Sequence, residues 1–320
     1  MSAIGHAEVT SFAADKVNLP RETATRYRTQ VQGLRDRLET KIKADPSFDL
    51  VKMLHSGSVA KGTALRTVND LDVAVYIKAG AAPKYDAELI PWLADRLIEA
   101  NPNMSADQFE HQDHCVTVTF RGSGLDVDVV PVLYEGDAND CGYLVRKHTG
   151  ERVLTSIPRH LEFIRNRRTR HGDKFKELIR LTKWWKKVEA NRDPDFRFKS
   201  FMIELLWARL ADAGQDLSDY PEALESFFTY IVKTELTDQI AFNDYIATNA
   251  IPMRSSAPVE ILDPVNLSNN VASKYTDADR RRIVTAAHNA LDALGEARFA
   301  TTKGDELSCW QHVLGTGFKG

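Results

Sequence analysis

The sequence contains few cysteines and no long apolar run, and each shortage argues against a class of protein. Cys115, Cys141 and Cys309 are scattered and odd in number, which disfavours a framework of paired disulfides and indicates a reducing compartment. The longest apolar stretches, such as LDVAVYI and FFTYIV, are far shorter than the ~20 residues that a membrane helix needs. The first residues also lack the basic segment and apolar run of a secretory signal. We therefore expect a cytoplasmic protein with no membrane partner.

The chain also lacks a dominant charge of either sign. Its 42 basic and 45 acidic residues give a net charge of −3, so no overall basic field indicates nucleic-acid binding. A local basic groove is still compatible with such a total. At 320 residues the chain is long enough for about two domains, and a hydrophobic fraction of 43% suffices for an ordinary core in each.

The sequence pattern changes near residue 155. Strand and helix patterns are mixed before that point, whereas helical patterns dominate after it. We predict an α+β fold with two lobes: a small mixed-sheet lobe with an N-terminal helix over residues 1–155, and a helical lobe over residues 156–320. Ligands commonly bind between two such lobes, so we expect the active site in the cleft between them.

The same patterns predict individual elements. Strands are expected at residues 50–55, 71–77, 115–120 and 125–134. Helices are expected at residues 20–42, 87–102, 158–168, 174–189, 200–213, 221–232 and 277–296, the second of them broken or kinked at Pro91.

Two apolar strands carry paired aspartates where a core strand would have valine. Side chains two residues apart on a strand point the same way, so Asp70 and Asp72 share one face, as do Asp126 and Asp128. If the two strands are neighbours, three or four carboxylates converge, and their mutual repulsion calls for a cation. The simpler alternative, that each pair lies on a solvated sheet face or caps a turn, would be preferred for one pair alone. Two pairs together favour a site for Mg²⁺, which completes its shell with substrate phosphates.

A turn of the type that binds phosphate precedes the first pair of aspartates. Gly57 lets the backbone bend and approach a ligand closely, and Ser58 offers a hydroxyl as well as its N–H. The following VAKGTAL can begin a short helix, whose free N–H groups favour phosphate. Lys61 either adds positive charge to this turn or is simply solvated.

Several segments together resemble a known family. GSVAKGTALRTVNDLDVAVYI with LDVDVVPV resembles the Gly-Ser and Asp-x-Asp pattern, with a third aspartate on a later strand, of the DNA polymerase β superfamily of nucleotidyltransferases. LIRLTKWWKK, FKSFMIELL and DPVNLSNNVA are similar to the helical lobe of its oligoadenylate-synthase and cGAS-like branch, specifically the bacterial CD-NTases (cGAS/DncV-like nucleotidyltransferases). The resemblance spans about residues 15–318, with a mild departure at Leu267 and Ser268. Within these enzymes, the sequence most resembles the clade whose members occur together with HORMA-domain regulators.

The resemblance implies roles for the matching residues. Asp70 and Asp72 correspond to the paired metal ligands and Asp128 to the third, whereas Asp126 matches no family carboxylate. Gly57 and Ser58 correspond to ligands of the β- and γ-phosphates. Further nucleotide contacts are implied for Lys183 and Ser200 on the triphosphate, Phe201 stacked on a base, and Asn269 in a loop over the nucleotide. Asn269 and its neighbour Asn270 are equally well explained as a structural cap.

The resemblance also implies an activity. It predicts a nucleotidyltransferase that uses two Mg²⁺ ions, with Mn²⁺ as an alternative, to make a cyclic oligonucleotide from ATP in bacterial anti-phage defence. Cyclic tri-AMP is the favoured product, and the other NTPs are further candidate substrates. A HORMA-domain regulator and duplex DNA are the implied partners. The alternatives are linear oligoadenylate synthesis, nucleotide addition to an RNA end, and a catalytically silent sensor on the same fold.

Two basic runs, RNRRTR at Arg165–Arg170 and the arginines of DRRRIV at Arg280–Arg282, are candidates for contacts with nucleic acid through phosphates. We expect each to be a solvated helix face, with a contribution to a binding groove as the alternative for the first.

Overall fold

The computed structural model describes residues 4–44, 50–68 and 70–320, which form two compact units. One unit comprises residues 19–162. The other comprises residues 4–18 together with 163–320. Compared with the expected lobes, 1–155 and 156–320, the N-terminal segment belongs with the helical unit and not with the sheet unit.

Helices and strands of the described residues have the following bounds. The helices are α1 His6–Phe12, α2 Arg21–Ala44, α3 Gly57–Lys61, α4 Leu89–Ala100, α5 Ile157–His171, α6 Asp173–Arg192, α7 Ser200–Asp212, α8 Tyr220–Thr234, α9 Asp277–Phe299 and α10 Lys303–Leu314. The strands are β1 Leu50–Ser56, β2 Asp70–Lys78, β3 Phe109–His111, β4 Val116–Phe120, β5 Leu125–Tyr134, β6 Gly142–Val145, β7 Arg152–Thr155, β8 Gln239–Ile240 and β9 Glu260–Ile261.

The sheet unit is built on one mixed sheet. Its strand order is β1-β2-β5-β4-β3, and β6 pairs with both β5 and β7. β2 and β5 run parallel, whereas the other pairings described in this sheet are antiparallel. This mixed sheet, joined to a helical unit, confirms the predicted α+β class.

The two-residue period of β2 separates two packing faces. Leu71, Val73, Val75 and Ile77 lie in the main hydrophobic cluster, which also contains buried side chains of α2 and α4. Tyr76 and Ala74 lie in a smaller cluster with Val132 of β5. The aspartates of β2 alternate with the first set of residues, as the sequence pattern predicts.

The kink expected at Pro91 is wrong. The helix α4 begins at Leu89, so proline is the third residue of its first turn. The first four N–H groups of a helix have no intrahelical acceptor, and proline therefore removes no hydrogen bond at this position. The last residue of the helix is Ala100, directly before the predicted Asn101 stop.

The helical unit packs around two fully buried tryptophans. Trp185 of α6 makes an edge contact with Phe228 at 4.9 Å between ring centroids, and Trp207 of α7 stacks on Phe227 at 5.0 Å. The sequence patterns missed α1 and α10, whose ends approach each other through Phe318, 5.2 Å from the ring of Phe12. No helix among residues 4–44, 50–68 and 70–320 is both long and apolar enough to cross a membrane.

The basic run on α5 is only partly a solvated face. Arg167 is 1% exposed, and its guanidinium forms ion pairs with Asp212 at the end of α7 and with Asp244. It also lies 3.6 Å from the ring centroid of Phe163. The neighbouring Arg168 is exposed and pairs with Asp173. A buried cation between two carboxylates holds α5, α7 and the loop of residues 241–247 together.

Replacing Arg167 with methionine should lower the free energy of unfolding by about 3–5 kcal/mol, because two carboxylates lose their buried partner. The matched variant Arg168→Met removes an exposed pair and should cost less than about 1 kcal/mol. Urea unfolding followed by circular dichroism measures both. Equal losses in the two variants would contradict the buried ion-pair interpretation.

Candidate active site

The paired aspartates of β2 and β5 lie side by side. The parallel register pairs Asp70 with Asp126 and Asp72 with Asp128. Neighbouring strands are ~4.8 Å apart, so each pair brings two carboxylates of the same face close together. The two strands are therefore neighbours, and the carboxylates converge as expected for neighbouring strands.

Hydroxyl groups of β4 hold the two carboxylates of β5. Thr117 Oγ1 donates to Asp128 Oδ1 at 2.6 Å, and Thr119 Oγ1 donates to Asp126 Oδ1 at 2.7 Å. The sequence analysis missed both threonines, although alternation in VTVTF places them on the face opposite Val116 and Val118.

A buried thiol lies beside this carboxylate group. Burial, and next the negative charge of Asp128, raise the pKa of Cys115 to about 12. Cys115 is therefore a neutral thiol at physiological pH and adds no further negative charge to the cluster.

Gly57 lies directly against the side chain of Asp72, so any other residue at this position would require Asp72 to move. A Cβ at this position would lie 1.6 Å from Asp72 Oδ2, and its φ of +64° is one that side chains rarely adopt. Ser56, just before it, pairs with Asp72 in the register of β1 and β2. The turn therefore packs directly against the carboxylate.

The predicted short helix begins at this turn. α3 includes Gly57 itself, earlier than the expected start after Ser58. Its last residue is Lys61, and the C-cap residue Gly62 has φ of +72°. The carbonyl of Ser58 accepts from the N–H of Thr63 at 2.8 Å. The side chains of Ser58 and Lys61 are both half-buried on this helix.

The chemistry of these side chains suits a hard cation. Asp70, Asp72 and Asp128 offer only oxygen, and oxygen ligands are those that Mg²⁺ and Mn²⁺ prefer. Within the described part of the chain, no three His, Cys, Asp or Glu side chains form a ready-made metal cluster. Mg²⁺ does not need one, because it usually binds one or two carboxylates and takes its remaining ligands from phosphates and water. The residues therefore fit an ion bound together with a nucleotide.

The two predicted phosphate ligands of the helical unit, Lys183 and Ser200, each contact another side chain of that unit. Lys183 of α6 is 5% exposed, and its Nζ lies 2.6 Å from Glu204 Oε1 of α7. Ser200 Oγ, at the start of α7, lies 3.2 Å from Lys186 Nζ. Burial, and next the charge of Lys183, lower the pKa of Lys186. The sequence analysis missed Lys186, although it lies one helical turn after Lys183 on the same helix.

Phe201 and Asn269 occupy different surroundings. Phe201, the second residue of α7, is half-buried. Asn269 donates from Nδ2 to Asp263 Oδ2 at 3.2 Å, within its own loop. Asn270 Oδ1 accepts from the backbone N–H groups of Ile261 and Ala272. These hydrogen bonds close the loop of residues 259–272, as a structural cap would.

The sequence of this chain is similar to a known family and to known proteins. Residues 5–160 match the family described as "Second Messenger Oligonucleotide or Dinucleotide Synthetase domain". The protein named cyclic AMP-AMP-AMP synthase, from Escherichia coli strain MS 115-1, is 47% identical over 317 residues, which are 99% of this chain and 98% of that protein. The CBASS oligonucleotide cyclase CdnC of E. coli strain KTE188 is 30% identical over 319 residues, 98% of this chain and 97% of that protein.

Solved structures give the same result. The structures of E. coli MS115-1 CdnC with ATP and in a complex with HORMA-deltaN each match with a TM-score of 0.92. Both are 47% identical and cover 99% of either chain. The likeness thus includes both units of the chain.

Replacing Gly57 with alanine should displace the Asp72 carboxylate and reduce ATP turnover by about 10²-fold, since misplacement by ~1 Å can cost that much. Gly124→Ala is the matched control: its φ is +65°, and a Cβ there meets nothing within 4 Å. Both variants should lose ~1–2 kcal/mol of stability from the strained backbone. Turnover assays and thermal unfolding compare them, and equal turnover would refute the importance of the Gly57–Asp72 contact.

Replacing Lys183 with methionine leaves Glu204 buried without its ammonium and should cost about 3–5 kcal/mol. The double variant Lys183→Met with Glu204→Leu removes both charges and should recover most of that loss. Chemical denaturation of the single and double variants measures the coupling. If the double variant is as unstable as the single one, the ion pair does not explain the effect.

Proposed function

The chain belongs to the cGAS/DncV-like nucleotidyltransferase (CD-NTase) family, and on this premise we propose that it makes cyclic tri-AMP from ATP. The observation that carries the proposal is the parallel pairing of Asp72 with Asp128, next to a glycine turn that contacts Asp72. The product is proposed from the relative named cyclic AMP-AMP-AMP synthase, which matches nearly the whole chain. The relative named as a CBASS cyclase supports a role in anti-phage defence.

The metal requirement follows from the family and from the donor set. Nucleotidyltransferases of this kind generally use divalent metal ions. We propose two Mg²⁺ ions, held by Asp70, Asp72 and Asp128 together with the triphosphate, and Mn²⁺ as a substitute. Such ions, when bound, neutralise phosphate charge and make an attacking hydroxyl more acidic.

The protein's own groups align the reaction. The backbone N–H of Gly57 and the hydroxyl of Ser58 bind the β- and γ-phosphates of the donor ATP, with Lys61 adding positive charge. Asp128 accepts the proton of the attacking ribose hydroxyl. A bond forms from that oxygen to the α-phosphorus, the bond from the α-phosphorus to the bridging oxygen breaks, and pyrophosphate leaves. Two such transfers and a final intramolecular attack close the ring of three nucleotides, with one pyrophosphate released at each step.

The helical unit supplies further proposed ligands. Ser200 is proposed for the triphosphate, Phe201 for stacking on a base, and Asn269 for orienting its loop. Lys183 corresponds to a triphosphate ligand of the family, but its ammonium contacts the carboxylate of Glu204. Lys186, which contacts Ser200, is therefore a second candidate for the phosphate contact.

A HORMA-domain protein is the proposed regulator, because the solved relative forms a complex with one. Duplex DNA stays a prediction, since no relative or structure named above is described with it. The other NTPs are also candidate substrates, and linear oligoadenylate is the alternative product that the assay below distinguishes.

Incubation of the purified protein with ATP and Mg²⁺, followed by mass spectrometry, should reveal cyclic tri-AMP. Asp72→Asn and Asp128→Asn should each lose at least ~10³-fold of the activity, because phosphoryl-transfer chemistry depends on charge neutralisation. Asp126→Asn, on the same face of β5 but outside the triad, should keep most of it.

Parallel reactions contain all four NTPs, a HORMA-domain protein and duplex DNA, separately and together. A linear product would replace the cyclic proposal with oligoadenylate synthesis. No turnover of any nucleotide under any of these conditions would refute the synthase and favour a silent sensor. Equal activity of Asp126→Asn and Asp128→Asn would refute the assignment of the third ligand.

A further inference from the structure

A row of two hydroxyl groups on β4 faces the acidic pair of β5. Thr117 lies opposite Asp128 and Thr119 opposite Asp126 in the antiparallel register. Each hydroxyl donates to one carboxylate oxygen, at 2.6 and 2.7 Å. Hydrogen bonds to a charged acceptor at such distances are among the strong ones in proteins.

The hydroxyl is not needed for the strand itself. Valine has the shape of threonine and an equal preference for strands, and β4 uses valine at both Val116 and Val118 on its other face. What threonine adds is a donor aimed at Oδ1 of Asp128. A hydrogen bond at one oxygen stops the carboxylate from rotating about its last bond, and it thereby fixes the direction of Oδ2.

We propose that Thr117 is a positioning residue for the third carboxylate, and this inference rests on the proposed function of Asp128. Groups that hydrogen-bond to metal-binding carboxylates orient them, and losing such a group typically costs 10–100-fold in metal affinity or activity. Thr117 therefore sets the direction in which Asp128 meets a metal ion and the attacking hydroxyl. Thr119 makes the same contact with Asp126, which matches no ligand of the family, so its loss should be silent.

The chain thus contains its own control. Thr117→Val and Thr119→Val each remove one hydroxyl of the same strand, the same face and nearly the same hydrogen-bond length. Both keep the β-branched shape that the strand packs. Thr117 also hydrogen-bonds to the thiol of Cys115, so a difference between the two variants reports the side chains that each threonine holds and not the strand.

Two readouts test the proposal. In the first, electron paramagnetic resonance measures Mn²⁺ binding in the presence of a non-hydrolysable ATP analogue, so that no turnover is required. Thr117→Val should weaken Mn²⁺ binding by about 10–100-fold, whereas Thr119→Val should equal the wild type. In the second, steady-state assays should give a kcat about 10–100-fold lower for Thr117→Val. Thr117→Ser, which restores the hydroxyl, should recover both.

Several outcomes would overturn the proposal. Equal Mn²⁺ affinities and kcat values for the two valine variants would do so, as would a Thr117→Ser variant no better than Thr117→Val. Thermal unfolding checks that each variant is folded, and Thr117→Ala replaces Thr117→Val if the latter is not. A wild-type protein that binds Mn²⁺ with the analogue but makes no product would refute the proposed function and leave the positioning inference supported or refuted by the binding data alone.

Discussion

The parallel pairing of β2 with β5 is the interaction on which the rest of the sheet unit depends. Its register sets Asp70 beside Asp126 and Asp72 beside Asp128 on one face. The residues between them turn to the other face, into the main hydrophobic cluster. A slip of one residue would send the carboxylates into that cluster and the valines of that cluster to the acidic face, so burial of the apolar face enforces the register of the acidic one. The stability of the core is thus what holds like charges together. Two carboxylates ~5 Å apart repel by about 1 kcal/mol in water and by about 3 kcal/mol at an effective dielectric of ~20.

The turn after β1 depends on the same register. Asp72 occupies the space that a Cβ of residue 57 would need, so the position of the strand limits the turn to glycine. Conversely, a glycine with positive φ allows α3 to begin directly against the carboxylate. Backbone N–H groups and a carboxylate are therefore brought together by contact, with no intervening side chain. A metal ion with a bound triphosphate needs both kinds of group within a few ångströms, because the ion takes oxygens from each.

The sequence predicted those features that depend on local spacing. The alternation of β2 and β5 and their acidic pairs follow from a period of two residues. The helices α5 to α9 follow, within a few residues at each end, from a period of about 3.6 residues.

The features that the sequence could not predict depend on partners distant in the chain. Arg167 reads as part of an exposed basic run, yet it is buried because carboxylates 45 and 77 residues away reach it. Lys183 is expected at a triphosphate, yet its ammonium contacts Glu204, which is 21 residues away on the next helix. The short strands β3, β6 and β7 are too brief to establish a period, and the helix α10 contains a glycine and little apolar pattern, so spacing alone is silent on them.

Each unit brings charged groups of like sign close together. In the sheet unit, carboxylates of neighbouring strands repel one another, and threonine hydroxyls relieve only part of that repulsion since they carry no charge. In the helical unit, the ammonium of Lys186 is partly buried near Lys183, and burial followed by that neighbouring charge lowers its pKa. A lowered lysine pKa means that the fold disfavours the charged form, and an anion beside it would reverse the direction of the shift. A cation would relieve the repulsion in the sheet unit, and an anion beside Lys186 would favour its charged form in the helical unit. Within each unit, a ligand of the opposite charge therefore gains affinity from an arrangement of charges that lowers the stability of the free protein.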